Sequence, residues 1–118
     1  MTSASDSQTI EVRVQYEGAA PTFGGFEAAD FILRRPHHPS LECNLGLAQD
    51  ARAVFEARAG ALDDAAIQAV LRALAPRHYG RLVARGEDVP AIILLRAHDI
   101  DEAEVDAILL EAEITPRG

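Results

Sequence analysis

The chain has 118 residues, a length that supports one domain with a modest core, and a formal net charge of −8. Its apolar content of 48% argues against disorder along the whole length. The acidic balance argues against nucleic acid as a partner, because phosphate binding needs a basic field, and points to a basic protein instead.

Residues 1–8 are small and polar and are expected to form a flexible tail. Ile10, Val12, Val14 and Tyr16 alternate with Glu11, Arg13, Gln15 and Glu17, the period of a strand with one apolar face. The segment from Gly18 to Thr22, with Pro21, breaks it. Phe23–Arg35 carries both patterns: Phe26, Ala29 and Leu33 could line a helix, while Phe31, Ile32 and Leu33 could end a strand. A strand over the second half is the reading adopted. Pro36 and Pro39 make Arg34–Pro39 a loop. Leu41, Cys43, Leu45 and Leu47 then alternate with polar or small residues as another strand.

The period next becomes helical. Leu47, Ala51, Val54, Phe55 and Arg58 share a helix face, and Gly60 ends the run. Asp63 or Asp64 caps a second helix with the stripe Ile67, Val70, Leu71 and Leu74. Pro76 is expected to stop it and open a short third piece bearing Tyr79, Leu82 and Val83 and closed by Gly86. Ala91–Leu95 reads as a strand buried on both faces. Asp99 and Glu102 have the spacing of a capping box for a terminal helix with the stripe Val105, Ile108, Leu109 and Ala112. The expectation is an α+β fold: a small antiparallel sheet of three to four strands, covered on one face by three to four helices, with strands mostly before helices. It would fill residues 9–114 as a single domain, with a tail over 115–118.

No motif with a demanding spacing names a chemistry. Gly24-Gly25 lacks the strand-to-helix context and further glycines of a phosphate loop. Four stretches remain as candidates. Arg34, Arg35, His37 and His38 are dense enough to bind an anion or, with Glu42 or Cys43, a metal; a polar connecting loop is the simpler reading. Arg77, Arg81 and Arg85, with Arg72 upstream, form a basic stripe, either an anion contact on a loose helix-turn-helix or a face paired with the acidic helix. Cys43 could serve as a nucleophile with a histidine base, but it shares the apolar side of its strand. His98 and Asp99 sit where a strand ends and a helix begins, a common ligand position.

Cys43 is the single cysteine, so no intramolecular disulfide can form and no cysteine-based zinc site can be completed. All eleven Lys/Arg residues are arginine, which fits a GC-rich coding bias. No apolar run nears the ~20 residues of a membrane span, and the N-terminal residues lack the basic and apolar regions of a signal peptide. A cytoplasmic protein with no membrane partner is expected.

Two function classes follow. The preferred one is a protein-binding or regulatory module, of the immunity, antitoxin or accessory-subunit kind. It would engage a basic partner through Asp101, Glu102, Glu104, Asp106 and Glu111, need no cofactor, and be compatible with homo-oligomers. The alternative is a small enzyme or a metal- or anion-binding domain using the Arg34–Cys43 loop. Convergence of the four histidines with an arginine in one cleft would favour the alternative.

Overall fold

The computed structural model describes residues 12–21 and 26–116. Among these, four strands, β1 (Arg13–Ala19), β2 (Glu27–Arg34), β3 (Leu41–Leu47) and β4 (Ile92–Leu95), form one sheet in that order. Three helices, α1 (Gln49–Ala59), α2 (Asp64–Ala84) and α3 (Val105–Glu111), accompany two short 3₁₀ turns, Ala97–Asp99 and Glu102–Glu104. The α+β fold with strands mostly before helices is therefore present. The tail expected over 1–8 lies outside the described residues, as does Ile10.

β1 pairs antiparallel with β2, and β2 with β3. β4 pairs parallel with β3, because α1 and α2 together return the chain to the end of the sheet where β3 began. The sheet is thus mixed. In β1 the register shifts between Tyr16 and Gly18, a bulge at which Gly18 takes φ +127°.

All three helices lie on one face of the sheet. That face presents Val14 and Tyr16 from β1, Ala29, Phe31 and Leu33 from β2, Cys43, Leu45 and Leu47 from β3, and Ile93 and Leu95 from β4. Phe31 is its centre, with ring centroids 5.7 Å from Tyr16 and 6.4 Å from Tyr79. The helices answer with Phe55, Ile67, Val70, Leu71, Leu74, Tyr79, Ile108 and Leu109, all buried. One polar knot joins the layers. The Tyr16 hydroxyl donates to Gln68 Oε1 at 2.8 Å, and Gln68 Nε2 donates to Glu27 and to the Ala28 carbonyl.

Three expectations are corrected. Pro76 does not stop the helix: α2 runs through it, with Asp63 as its N-cap accepting from the Ala66 amide at 2.8 Å. Pro76 faces solvent while Ala73, Leu74, Ala75, Tyr79 and Val83 are buried around it, so packing of one continuous stripe outweighs the local cost of the proline. This removes the helix-turn-helix. Second, Asp99 and Glu102 do not open the terminal helix. Asp99 accepts from the Arg96 amide at 2.9 Å, Asp101 accepts from Ala103, and the helix begins at Val105 after two 3₁₀ turns. Its stripe is as expected, with Val105, Ile108 and Leu109 buried and Ala112 half-buried. Third, β4 is not buried on both faces. Ile93 and Leu95 point to the core, but Ile92 is 75% exposed and Leu94 40%.

Candidate functional site

The acidic C-terminal segment is largely paired within the chain. Glu104 lies 3.4 Å from Arg77 and 2.9 Å from Arg81; Glu111 also meets Arg77. Asp106 forms a bidentate pair with Arg58 at 2.9 and 3.0 Å, and that guanidinium holds the Asp106 carboxyl below the usual carboxylate range. Asp101 is occupied as a cap, and Glu102 stands exposed. Arg77 and Arg81, read from sequence as possible anion ligands, thus tie α2 to α3. Arg72 lies over the Tyr16 ring, 4.7 Å from its centroid.

The loop after β2 does not assemble a centre. Arg34 donates to Gln15 across the sheet. Arg35 and His38 border a hollow with Val83, Gly86, Glu87 and Asp88, while His37 is exposed with φ +66°. No three His, Cys, Asp or Glu side chains come together to hold a metal ion among the described residues. Cys43 is 3% exposed beneath the helices, its thiol beside the Tyr79 hydroxyl. Burial pushes the Cys43 thiol up, against smaller lowering effects from Tyr79 and Arg35, so it is the protonated, inert form that packs here. Burial also holds the Tyr79 phenol well above its ordinary range.

Two of the four histidines border one cleft. His78 from α2 and His98 from the turn after β4 line a cleft of about 340 Å³ with Arg81, Arg85, Asp99 and Asp101. Burial lowers the His78 imidazole, and Arg81 adds to the effect, which favours its neutral form. His98 Nε2 is 3.5 Å from Asp99 Oδ1. The cleft carries two arginines against two aspartates, so it offers no net positive field. His37 and His38 lie elsewhere.

The open face of the sheet is different. A groove of about 490 Å³ crosses it, with Glu17, Asp30, Ile32, Glu42, Asn44 and Ile92 in its lining. Strand pleating puts them there: Asp30 stands opposite Asn44, Ile32 opposite Glu42, and Asn44 opposite Ile92. Alternation along β1, with Val14 and Tyr16 towards the core, puts Glu17 on the same side. Asp30 accepts from Asn44 at 3.2 Å and Glu17 from Gln15 at 2.6 Å. None of Glu17, Asp30 and Glu42 has an arginine within ion-pair distance among the described residues. Arg13 and Arg34 sit on this face at the far corner, where they are opposite one another in the β1–β2 register.

Beyond the carboxylates the face turns apolar. Leu94 and the Phe26 ring close in on Gly46, where a Cβ would stand 2.8 Å from Phe26 Cε2 and 3.2 Å from Leu94 Cδ1. Only glycine leaves room for both. The open face therefore grades from a basic corner, through a row of carboxylates that have no ion-pair partner among the described residues, to an apolar margin at β4. Sequence reasoning missed these residues as a site. The alternation placed Glu17 and Glu42 on polar faces, but nothing in it showed that no described helix covers this side of the sheet.

No protein-family profile, curated protein or solved structure matches this chain. No helix among the described residues is long and apolar enough to cross a membrane.

Proposed function

We propose that this chain is a protein-binding module, of the accessory-subunit kind, that engages a basic partner through the open face of its sheet. One observation carries the reading: Glu17, Asp30 and Glu42 line a single groove without arginine partners among the described residues, beside exposed Ile92 and half-buried Ile32. Unpaired carboxylates next to apolar area offer a cationic, partly apolar partner both steering and burial. The C-terminal helix is the weaker surface for the same task, because Glu104, Asp106 and Glu111 already neutralise the chain's own arginines.

The test compares two charge-reversed variants in quantitative affinity capture. E17K/D30K/E42K should lose the basic proteins that the wild type retains, and D101K/E104K/E111K should keep them if it remains folded. Loss confined to the second variant would move the interface to the helix, and capture unaffected by either would end the proposal.

A second reading has the His78–His98 cleft behind it, as an anion site with histidine as acid–base. It ranks lower because Asp99 and Asp101 cancel Arg81 and Arg85, and because no nucleophile lies in its lining. Shifts of the His78 and His98 ring protons on titration with inorganic phosphate would favour it; unchanged spectra would remove it.

A further inference from the structure

The two edges of the sheet are built in opposite ways. β1, at one edge, alternates charged and polar Arg13, Gln15 and Glu17 on its open side and is broken by a bulge at Gly18. Those are the devices by which proteins stop an edge from pairing. β4, at the other edge, lies in the sequence Val89-Pro-Ala-Ile-Ile-Leu-Leu95, which carries no charge. Its outer hydrogen-bonding groups are defined by the inner ones. The Ala91 carbonyl accepts from Asn44 at 2.7 Å and the Leu95 carbonyl from Ala48 at 2.9 Å, so the odd-numbered residues face β3. The N–H and C=O groups of Ile92 and Leu94 then point away from the sheet. The same two residues are among the few large apolar side chains exposed among the described residues.

We infer that two copies of the chain pair through β4, antiparallel about a two-fold axis at Ile93, to make one continuous sheet. In this register Ile92 of each copy stands opposite Leu94 of the other as a hydrogen-bonded pair. Each outward N–H within the strand then meets an outward C=O. Ile93 faces its own counterpart as a non-hydrogen-bonded pair. On the open face, Ile92 and Leu94 of the two copies form one apolar stripe. A register slipped by two residues in either direction sets Pro90, which has no N–H, or Arg96, whose N–H is held by Asp99, against the strand.

Charge does not choose between registers. Glu87 before β4 lies against Arg85, and Arg96 and His98 after it lie against Asp50 and Asp99, so neither end carries a basic surplus and the hydrogen-bonding groups set the register. The joined sheet carries two acidic grooves flanking the apolar stripe. The association itself requires no basic partner.

A contact this short is a small interface, so association should depend on concentration. The net charge of −8 opposes it at long range, and salt screens that repulsion. Light scattering during size exclusion of the whole chain should show the mass rising towards twice the monomer value with concentration. Added salt should leave this rise intact or sharpen it, whereas capture of a basic partner should weaken with salt. Ile92→Lys, at a solvent-facing position, should return the protein to monomer at every concentration, with the unfolding midpoint that the wild type shows at concentrations where it is monomeric. Ile93→Cys should cross-link under mild oxidation, because its Cα would lie about 4.5 Å from its counterpart; Ile92→Cys should not. A monomer at all concentrations, a dimer that Ile92→Lys leaves intact, or equal cross-linking at 92 and 93 would each overturn the inference. Those results leave the groove's partner test standing on its own.

Discussion

Phe31 and Ile32 are neighbours in β2 and face opposite ways, and the two environments share almost nothing. Phe31 meets Tyr16 and Tyr79 inside a layer closed by helices and is 2% exposed. Ile32 lies in a groove among carboxylates with solvent above it. The helix-covered face spends its side chains on packing; the Gln68 knot ties off Tyr16 and Glu27, while the buried Tyr79 hydroxyl has no hydrogen-bond partner. The open face keeps both charge and apolar area uncommitted. On the proposed reading, stability belongs to the covered face and binding to the open one.

Mutation should separate the two. Phe31→Ala is expected to cost about 3–5 kcal/mol in urea unfolding, the range for a large aromatic removed from a closed core. Ile32→Ala should cost roughly 1 kcal/mol, since much of its surface is already hydrated. Equal losses would mean that the open face is covered in solution. Within the helical layer, Pro76→Ala should stabilise the protein by about 1–2 kcal/mol. It restores the missing amide on the solvent side of α2, less what proline gains by restricting the unfolded chain. A loss of stability there would show that the packing of α2 requires the proline. The triple reversal E17K/D30K/E42K should change the unfolding free energy by no more than ~0.5 kcal/mol per site while abolishing capture of a basic partner.

The smallest expected effect is in the pH profile. Arg58 holds the Asp106 carboxyl below its usual range, and Arg96 does the same for Asp50. A carboxylate depressed in the folded state contributes stability that is fully present above its unfolded value of ~3.9 and is lost as pH falls through the folded value. The stability difference between wild type and Arg58→Ala should therefore be constant from neutral pH down to about 5 and should shrink below about 4. Both side chains are exposed, so the difference stays small.

Periodicity was legible wherever one face of an element met the core. The alternation at Leu41–Leu47 and the helical stripes at Ala51–Phe55 and Val105–Leu109 correspond to buried residues in place. Pro76 misled because its local cost is visible in sequence, while the stripe that overrides it needs the sheet to be present. Ala91–Leu95 misled because a run of consecutive apolar residues is the same string whether one face is covered or two. That ambiguity hid the candidate site. Glu17, Asp30 and Glu42 lie on three strands, and only the observed register brings them into one groove. Pairing of Arg77 and Arg81 with the acidic C-terminal segment is legible as one meaning of the basic stripe, but the exact partners, and the Arg58–Asp106 pair, depend on how the helices cross.

The central claim is that the open face, and neither the acidic helix nor the histidine cleft, receives a basic partner. Amide-resolved NMR of the labelled chain, titrated with an extended peptide of alternating lysine and isoleucine, reads all three surfaces at once. Shift changes concentrated at Glu17, Asp30, Glu42, Asn44 and Ile92, and weakened by salt, are predicted. Changes confined to 101–113, or to His78 and His98, would contradict the account.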